Sequence, residues 1–257
     1  MPKKRIVVII PARMASSRFP GKSLAKILDL PVIEHVRRRA SLCDFTDDVY
    51  VATCDEKIRE VVESYGGKVI MTASTHERCT DRVEEAASIL DADIIVNVQG
   101  DEPLILPEAV QDVARPLTQS DDTLCSCLIY PITNQNELKD VNVVKAVLDQ
   151  NNWIMYFSRS PIPYFKTKED YPLYKQSGIM AFQKEFLHQY SLLAPTLLEK
   201  AESVDMLRIL EHGYKVLGVV TPYVTVGVDI PGDIARIEKL LVEDETQRIL
   251  HERILSL

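Results

Sequence analysis

Short aliphatic runs alternate with segments of helical periodicity along the first half of the chain. Residues 5–10 (RIVVII) lack polar alternation, which is typical of a parallel strand buried on both faces. Further strands are predicted at residues 48–53, 68–72 and 93–101, and amphipathic helices at 32–42, 55–67, 80–90 and 107–117. Regular alternation of strands and helices predicts a parallel sheet with right-handed crossovers.

Two local details follow from the helical segments. Thr80 stands at the start of its segment and is predicted to cap the helix. Arg37, Arg38 and Arg39 interrupt the apolar spacing of residues 32–42, so we expect them mostly on the solvent side of that helix.

The second half of the chain has a less regular pattern. Strands are predicted at residues 123–132, 142–149, 152–165, 177–182, 214–221 and 224–233, with a turn at 149–152. Residues 160–174, rich in Pro and Tyr, indicate a long loop or lid. Helices are predicted at residues 184–193 and 201–213, and a long amphipathic helix at 232–257. No internal repeat or low-complexity linker divides the chain, so we interpret residues 1–257 as a single unit.

Composition excludes several classes of protein. The formal net charge of -8 argues against a protein that coats nucleic acid or an acidic membrane. The five cysteines are odd in number and form no CxxC pair, which indicates reduced thiols. No apolar run has the length of a signal peptide core or a membrane span, so we expect a cytoplasmic protein.

The loop that follows the first strand carries three cations. Arg13, Arg18 and Lys22 lie among small residues, and Gly21 allows close backbone approach. Several cations beside exposed amides suit a polyphosphate, although the spacing matches neither GxxxxGK[ST] nor GxGxxG. The alternative is that the three cations are simply solvated on a surface loop.

Two carboxylates are expected on the same edge of the sheet. Asp101 ends the predicted strand that begins at residue 93, and Asp229 lies at the end of a predicted strand, before a helix. Ligands of open α/β sheets bind at the carboxyl ends of the strands, and Mg²⁺ prefers hard oxygen donors. A shared Mg²⁺ site is one interpretation, and helix capping by either aspartate is the other. Arg159 follows aromatic and apolar residues of the strand predicted at 152–165 and could contact an anionic substrate.

Taken together, five motifs resemble those of the 3-deoxy-manno-octulosonate (KDO) cytidylyltransferases, also called CMP-KDO synthetases. They are IPARMASSRFPGKSL, NVQGDEP, VKAVLD, YFSRSPIPY and GVDIPGD, in this order over residues 5–233. The resemblance implies a Rossmann-like, parallel-rich α/β sheet flanked by helices, of the nucleotidyltransferase type, with a smaller inserted dimerisation or acceptor portion. The nucleotide-binding part would span about 1–130 and 214–257, and the acceptor part about 131–213.

The resemblance also implies a reaction. Such enzymes transfer CMP from CTP to the anomeric hydroxyl of a 2-keto-3-deoxy acid sugar and release pyrophosphate, with Mg²⁺ as cofactor. They act as homodimers, with neither nucleic acid nor membrane as a partner.

Roles for individual residues follow from the matching motifs. Arg13 and Lys22 would contact the triphosphate as catalytic residues, with Arg18 assisting. Thr80 and Gln99 would lie at the nucleotide, Gln99 near the cytosine. Asp101 and Asp229 would be catalytic and hold Mg²⁺. The acceptor contacts implied are Arg159, Gln176, Glu202 and Asp205.

Three departures from the family pattern leave the acceptor open. Arg78 and Cys79 replace two small residues of a Ser-Gly-Thr run, Gln176 and Met180 replace His and Tyr, and Asp205-Met206 replaces Glu-Gln. The last two changes fall where the family contacts the sugar. KDO or a modified KDO is therefore the expected acceptor. The alternatives are a sialic-like or other acid sugar, and a catalytically silent nucleotide-binding paralogue.

Overall fold

The first strand lies at the centre of the main sheet of the computed structural model, which describes residues 3–16, 18–76, 78–166, 171–223 and 226–257. Its seven residues are all buried, as the uninterrupted aliphatic run predicts. The strands, in chain order, are β1 (Ile6–Ala12), β2 (Lys26–Ile27), β3 (Leu30–Pro31), β4 (Asp48–Thr53), β5 (Lys68–Met71), β6 (Ile94–Val98), β7 (Cys125–Pro131), β8 (Lys145–Leu148), β9 (Ile154–Ser158), β10 (Tyr174–Gln183) and β11 (Leu217–Val220).

Helices cover both faces of this sheet. They are α1 (Val32–Ser41), α2 (Glu56–Ser64), α3 (Cys79–Ser88), α4 (Pro107–Gln119), α5 (Gln135–Lys139), α6 (Lys184–Leu192), α7 (Leu197–Glu202), α8 (Met206–Glu211), α9 (Gly232–Glu243) and α10 (Glu245–Leu255). A turn of 3-10 helix, Lys22–Leu24, follows the first loop.

The strand order across the main sheet is β11-β7-β10-β6-β1-β4-β5. Strand β1 is parallel to β4 and β6, β4 to β5, and β11 to β7, whereas β10 runs antiparallel between β6 and β7. Strands β8 and β9 form an antiparallel pair attached to β10. The predicted parallel-rich α/β architecture is confirmed. The division into nucleotide and acceptor parts stays a prediction, and β10 of the acceptor part lies inside the main sheet.

The side chains of alternate residues of β1 pack into two hydrophobic cores on opposite faces of the sheet. Val7 and Ile9 pack with α3 and α6, while Ile6, Val8 and Ile10 pack with α1, α2 and α4. Two-sided burial explains why this strand shows no polar alternation.

Several element boundaries differ from those predicted. The segment 201–213 is broken between α7 and α8, where Ser203 adopts a positive φ of 52°. The segment 232–257 is broken at Asp244, whose side chain accepts a hydrogen bond from the Gln247 backbone and caps α10. No strand forms in the described part of the predicted strand 224–233, whose first two residues lie outside the described ranges. The apolar spacing continues across such breaks because the helices on both sides each bury an apolar face. Periodicity alone therefore does not show where one helix ends and the next begins.

The prediction that Arg37 to Arg39 face solvent is wrong. Arg38 and Arg39 are buried because α10 packs over α1. The Arg39 guanidinium donates to Gln247 Oε1 at 2.7 Å, and that of Arg38 donates to the Ile254 carbonyl at 2.7 Å. Burial with hydrogen-bond partners makes these arginines anchors for the C-terminal helix.

The junction of α1 and α10 also contains a stacked pair of histidines. The His35 and His251 rings lie 5.4 Å apart, near Arg38 and Arg39. His35 is fully buried, its Nε2 donates to the Ile27 carbonyl at 3.0 Å, and its Nδ1 is buried without a partner among the described residues. Burial is the main reason that the pKa of His35 falls from 6.5 to about 4, and the nearby arginines lower it further.

We expect this pair to make folding stability sensitive to acid. Because of this lower pKa, His35 binds a proton below about pH 6.5 in the unfolded chain but only below about pH 4 in the folded protein. Stability should therefore be full above pH 6.5 and fall between pH 6.5 and 4, by about 3 kcal/mol from His35. Chemical denaturation of wild type and His35→Gln across this range checks it, with the exposed His188→Gln as control. An unchanged pH slope in His35→Gln would contradict the assignment.

Candidate active site

Two loops meet at one edge of the sheet because β1 and β6 are parallel neighbours. The loop after β1 closes through a hydrogen bond from the Gly21 amide to the Met14 carbonyl at 2.9 Å, with Gly21 at φ 75°. At the start of the loop after β6, a Cβ on Gly100 would lie 2.7 Å from the Pro11 carbonyl oxygen. Glycine at these positions permits the positive φ and the close approach of the two loops.

A cavity of about 350 Å³ opens between these loops, and we call it the first cavity. Arg13, Arg18, Lys22, Gln99 and Asp101 line it, as predicted, whereas Thr80 and Asp229 do not. Three further basic residues line it that were not predicted as ligand contacts: His76, Arg78 and Arg82. An excess of cations over carboxylates gives the cavity the charge that an oligophosphate requires.

Lys22 joins the two predicted carboxylates. Its ammonium group contacts Asp101 Oδ2, donates to the Val228 carbonyl at 3.1 Å and lies 3.8 Å from Asp229 Oδ1. Arg18 donates to the same Asp229 oxygen at 2.7 Å. The structure thus brings Arg18, Lys22, Asp101 and Asp229 into one network, although more than 200 residues separate Lys22 from Asp229.

The helix-cap alternative for the two aspartates is wrong. Asp233, and not Asp229, accepts the amides of residues 229 and 230, at 2.8 and 2.9 Å. The N-cap of α4 is Leu106, so Asp101 does not cap that helix. The Asp101 carbonyl accepts the Val228 amide at 2.8 Å, which fixes the two carboxylate-bearing loops side by side.

The donor chemistry of Asp101 and Asp229 fits Mg²⁺. Mg²⁺ is commonly held by one or two protein carboxylates, with waters and substrate phosphate oxygens as its other ligands. Both carboxylates already converge on a cation, the Lys22 ammonium, which shows that they can share one positive charge. Among the described residues no group of three or more His, Cys, Asp or Glu side chains is arranged to hold a metal, so phosphate would have to contribute ligands.

The start of α3 supplies the wall opposite the loop. The Gln99 amide donates to Cys79 Sγ at 3.2 Å. Burial raises the pKa of the Cys79 thiol to about 11, so this sulfur is protonated at neutral pH and is a poor nucleophile.

Thr80 does not cap α3, because the N-cap is Arg78. The Thr80 side chain is fully buried, and its hydroxyl donates to Asp205 Oδ2 at 3.1 Å. It therefore supports the cavity wall from behind, and a direct nucleotide contact stays a prediction.

Arg78 and Asp205 form an ion pair at the boundary of the first cavity. Arg78 Nη1 donates to Asp205 Oδ1 at 3.2 Å and to Ser203 Oγ at 3.3 Å. Burial raises the pKa of Asp205, and the charge of Arg78 opposes that rise. The sequence marked Arg78 as a departure from the family pattern, but gave no signal for this long-range partner.

A second cavity, of about 410 Å³, shares Cys79, Gln99 and Asp205 with the first. Its lining adds Gln176, as predicted for an acceptor contact, together with Met180, Met206 and Lys175. A third cavity, of about 210 Å³, is lined by residues that include Lys175, Gln176, Asp101 and Asp229. The first and third cavities thus share Asp101, the second and third share Lys175 and Gln176, and both carboxylates line the third cavity.

Arg159 and Glu202 are not among the described residues that line these cavities. The Arg159 guanidinium donates to the carbonyls of Glu202 at 2.6 Å, Val141 at 2.9 Å and Ser203 at 3.3 Å. Glu202 accepts the Ser158 hydroxyl at 2.6 Å and the Arg159 amide at 2.8 Å. Burial opposes ionisation of Glu202, but these hydrogen bonds and the Arg159 charge outweigh it and lower its pKa. This geometry fastens β9 to α7, and acceptor contacts by the two residues stay predictions.

A parallel-rich sheet whose carboxyl edge presents a cationic cavity beside paired carboxylates is the arrangement of a nucleotidyltransferase. A family model described as cytidylyltransferase matches residues 7–216, and the chain belongs to this family. Among the described residues, no helix has the length and apolar character needed to cross a lipid bilayer.

Relatives with specific names are similar over nearly the whole chain. A 3-deoxy-manno-octulosonate cytidylyltransferase of Geotalea uraniireducens is 41% identical over 91% of this chain and 97% of its own. An 8-amino-3,8-dideoxy-manno-octulosonate cytidylyltransferase of Shewanella baltica is 40% identical over 93% and 99%. The solved structure of a CMP:2-keto-3-deoxy-manno-octonic acid synthetase complexed with CTP superimposes with a TM-score of 0.89, at 36% identity over 93% of this chain and 99% of that one.

Proposed function

We propose that this protein transfers CMP from CTP to the anomeric hydroxyl of a 2-keto-3-deoxy acid sugar and releases pyrophosphate. The observation that carries the proposal is the network of Lys22 with Asp101 and Asp229, which lies where the first and third cavities share Asp101. The first cavity suits a triphosphate in its charge, and the second adjoins it across a shared wall. The names of the relatives supply the identity of nucleotide and acceptor.

In this proposal the first cavity binds and orients the triphosphate. Arg13, Arg18 and Lys22 neutralise its charge and that of the departing pyrophosphate. Displacement at phosphorus depends mainly on alignment and charge neutralisation, so a covalent protein nucleophile is unnecessary. The protonated Cys79 thiol agrees with direct transfer to the sugar hydroxyl.

Asp101 and Asp229 would hold Mg²⁺ as anionic oxygen donors. When bound, Mg²⁺ would supply electrostatic stabilisation of phosphate charge and lower the pKa of the attacking hydroxyl. On binding of CTP, Lys22 would exchange its carboxylate contacts for phosphate oxygens.

Gln99 would read the base. Its amide carries both a donor and an acceptor, which are the groups needed to distinguish the edge of cytosine from that of other bases. Its side chain lines both the first and the second cavity, which supports a contact with the bound nucleotide. A homodimer is likewise proposed from the family resemblance.

A pyrophosphate-release assay tests this function. The purified protein is given KDO or its 8-amino analogue with CTP, UTP, ATP or GTP, each with Mg²⁺. We expect release that requires both an acid sugar and CTP. Equal release with ATP or GTP would contradict cytidylyl transfer, and release without any acceptor would indicate a nucleotide hydrolase. No release with any combination would favour the silent paralogue.

The second cavity favours a modified acceptor over KDO itself. Met180 and Met206 line it where the family pattern has Tyr and Gln, and thioethers cannot donate hydrogen bonds. Each sugar hydroxyl left without a partner would cost about 1–3 kcal/mol. Asp205 lines the same cavity and offers a carboxylate, already shared with Arg78, to an ammonium group.

We therefore expect kcat/KM for 8-amino-KDO to exceed that for KDO by tens-fold or more. Both sugars should be compared with the same CTP and Mg²⁺ concentrations. Met206→Gln should narrow the gap by restoring KDO turnover. A KDO value of about 10⁴ M⁻¹s⁻¹ or above, without gain from the amino group, would show that KDO is the preferred acceptor.

A further inference from the structure

The chemistry of an acid sugar restricts where its carboxylate can lie. In a 2-keto acid the carboxylate carbon is bonded directly to the anomeric carbon, whose hydroxyl attacks phosphorus. The carboxylate must therefore lie beside the transfer point and on the acceptor side of it. A cation that recognises it must be near Asp101 and Asp229 without belonging to the triphosphate cavity.

Lys175 meets this requirement. Among the described residues that line the second and third cavities, it is the only cation. The third cavity also contains Asp101 and Asp229 in its lining, so Lys175 connects the acceptor side with the paired carboxylates. The cations Arg13, Arg18 and Lys22 line the first cavity instead.

Lys175 is also held ready for a carboxylate. It lies on β10, where it pairs with Lys145 of β8 and Tyr130 of β7. Its ammonium group is 2.5 Å from Glu137 Oε1, and its side chain is 13% exposed. An ammonium group has three donors, so contact with Glu137 leaves donors for a second carboxylate. Limited exposure strengthens such a contact because less water screens it.

Arg159, the cation that the sequence assigned to the acceptor, is engaged elsewhere. Three backbone carbonyls accept its guanidinium hydrogen bonds, and the three cavities are lined without it. Lys145 is buried, and the carbonyls of Asp140, Val143 and Arg159 accept from its ammonium group. These contacts leave Lys175 as the cation that the second and third cavities offer to an acceptor, among the described residues.

We propose that Lys175 binds the carboxylate of the acid-sugar acceptor and thereby determines specificity for acids over neutral sugars. The inference rests on the proposed function, since it names a residue that recognises the second substrate. A charge-assisted contact of this kind corresponds to about a 10- to 100-fold preference for the carboxylate over a neutral group.

The test is a cycle of two enzymes and two acceptors. Wild type and Lys175→Met are assayed with the acid sugar that wild type turns over best and with its C1 carboxamide, which keeps the shape but lacks the charge. We expect wild type to prefer the acid by about 10- to 100-fold in kcat/KM. In Lys175→Met, kcat/KM for the acid should fall to the value for the carboxamide. The value of kcat/KM for the carboxamide and the KM for CTP should not change.

Matched variants separate recognition from damage to the fold. Lys139→Met makes the same change at an exposed lysine of α5 and should keep the full acid preference. Lys175→Arg retains a cation and should retain part of the preference for the acid. It keeps the proposal testable if Lys175→Met folds poorly. Thermal denaturation of each variant identifies any loss of structure.

Several results would overturn the inference. A Lys175→Met enzyme that keeps the acid preference, or an Arg159→Gln enzyme that loses it while Lys175→Met does not, would assign the carboxylate to another residue. Equal use of acid and amide by wild type would overturn the Lys175 role but leave cytidylyl transfer intact. Absence of turnover with both acceptors would overturn the proposed function as well.

Discussion

Replacing Asp101 or Asp229 with Asn is expected to lower kcat for cytidylyl transfer by roughly a hundredfold or more. Each change keeps the shape of the side chain but removes the charge of one of the two carboxylates that converge on Lys22. Because both carboxylates line the third cavity and are held there by Lys22 and Arg18, loss of charge should act on the reaction rather than on the core. Initial rates at saturating CTP and acceptor measure the effect.

Asp121→Asn is the matched control. Asp121 is a surface carboxylate that pairs with Lys4 and lines none of the three cavities. It should retain full activity. We also expect the active-site variants to need more Mg²⁺ for half-maximal rate, whereas the control should not. Rates within about threefold of wild type in both active-site variants would remove the paired carboxylates from the mechanism.

Lys22→Met is expected to reduce kcat/KM for CTP by roughly a hundredfold, with contributions from both KM and kcat. The change removes the cation that lies between the carboxylates and that would neutralise the phosphates. In the absence of CTP, this change also removes the ammonium group from Asp101 and leaves Asp229 with Arg18 as its cation. Binding of Mg²⁺ to the free protein should therefore tighten, as measured by titration calorimetry.

Lys26→Met provides the control for this change, since Lys26 is an exposed lysine four residues away on β2. Its KM for CTP and its Mg²⁺ affinity should equal those of wild type. A Lys22→Met enzyme with normal KM for CTP, or with weaker Mg²⁺ binding, would contradict the role given to Lys22.

The sequence allowed the sheet and one edge of the site to be predicted because those features depend on local patterns. The aliphatic runs before Arg13 and Asp101 mark parallel strands, and parallel neighbours bring their carboxyl ends to the same edge. Asp229 was harder to place, since no strand forms in the described residues before it. Its motif suggested the right edge, and contacts of Val228 with Asp101 and Lys22 hold it there.

Other features depend on partners distant in sequence, which periodicity cannot reveal. Arg38 and Arg39 looked solvent-facing because a helical pattern does not show that α10 covers α1. The sequence did not mark Lys175 as an acceptor contact. Its proposed role depends on its place in the lining of two cavities, which form only in the folded protein.

Family motifs suggested an acceptor contact for Arg159 but could not show that three carbonyls occupy its guanidinium. The failures therefore concern tertiary contacts more than the assignment of strands and helices.

The central claim is that CMP is joined to the anomeric oxygen of an acid sugar. Its most direct test is mass spectrometry and ³¹P NMR of the product formed from CTP and a 2-keto-3-deoxy acid sugar by the wild-type protein. We predict one CMP-sugar phosphodiester, with one pyrophosphate released per sugar consumed. A product consisting of free CMP and unchanged sugar, or no product in the presence of both substrates and Mg²⁺, would contradict the account.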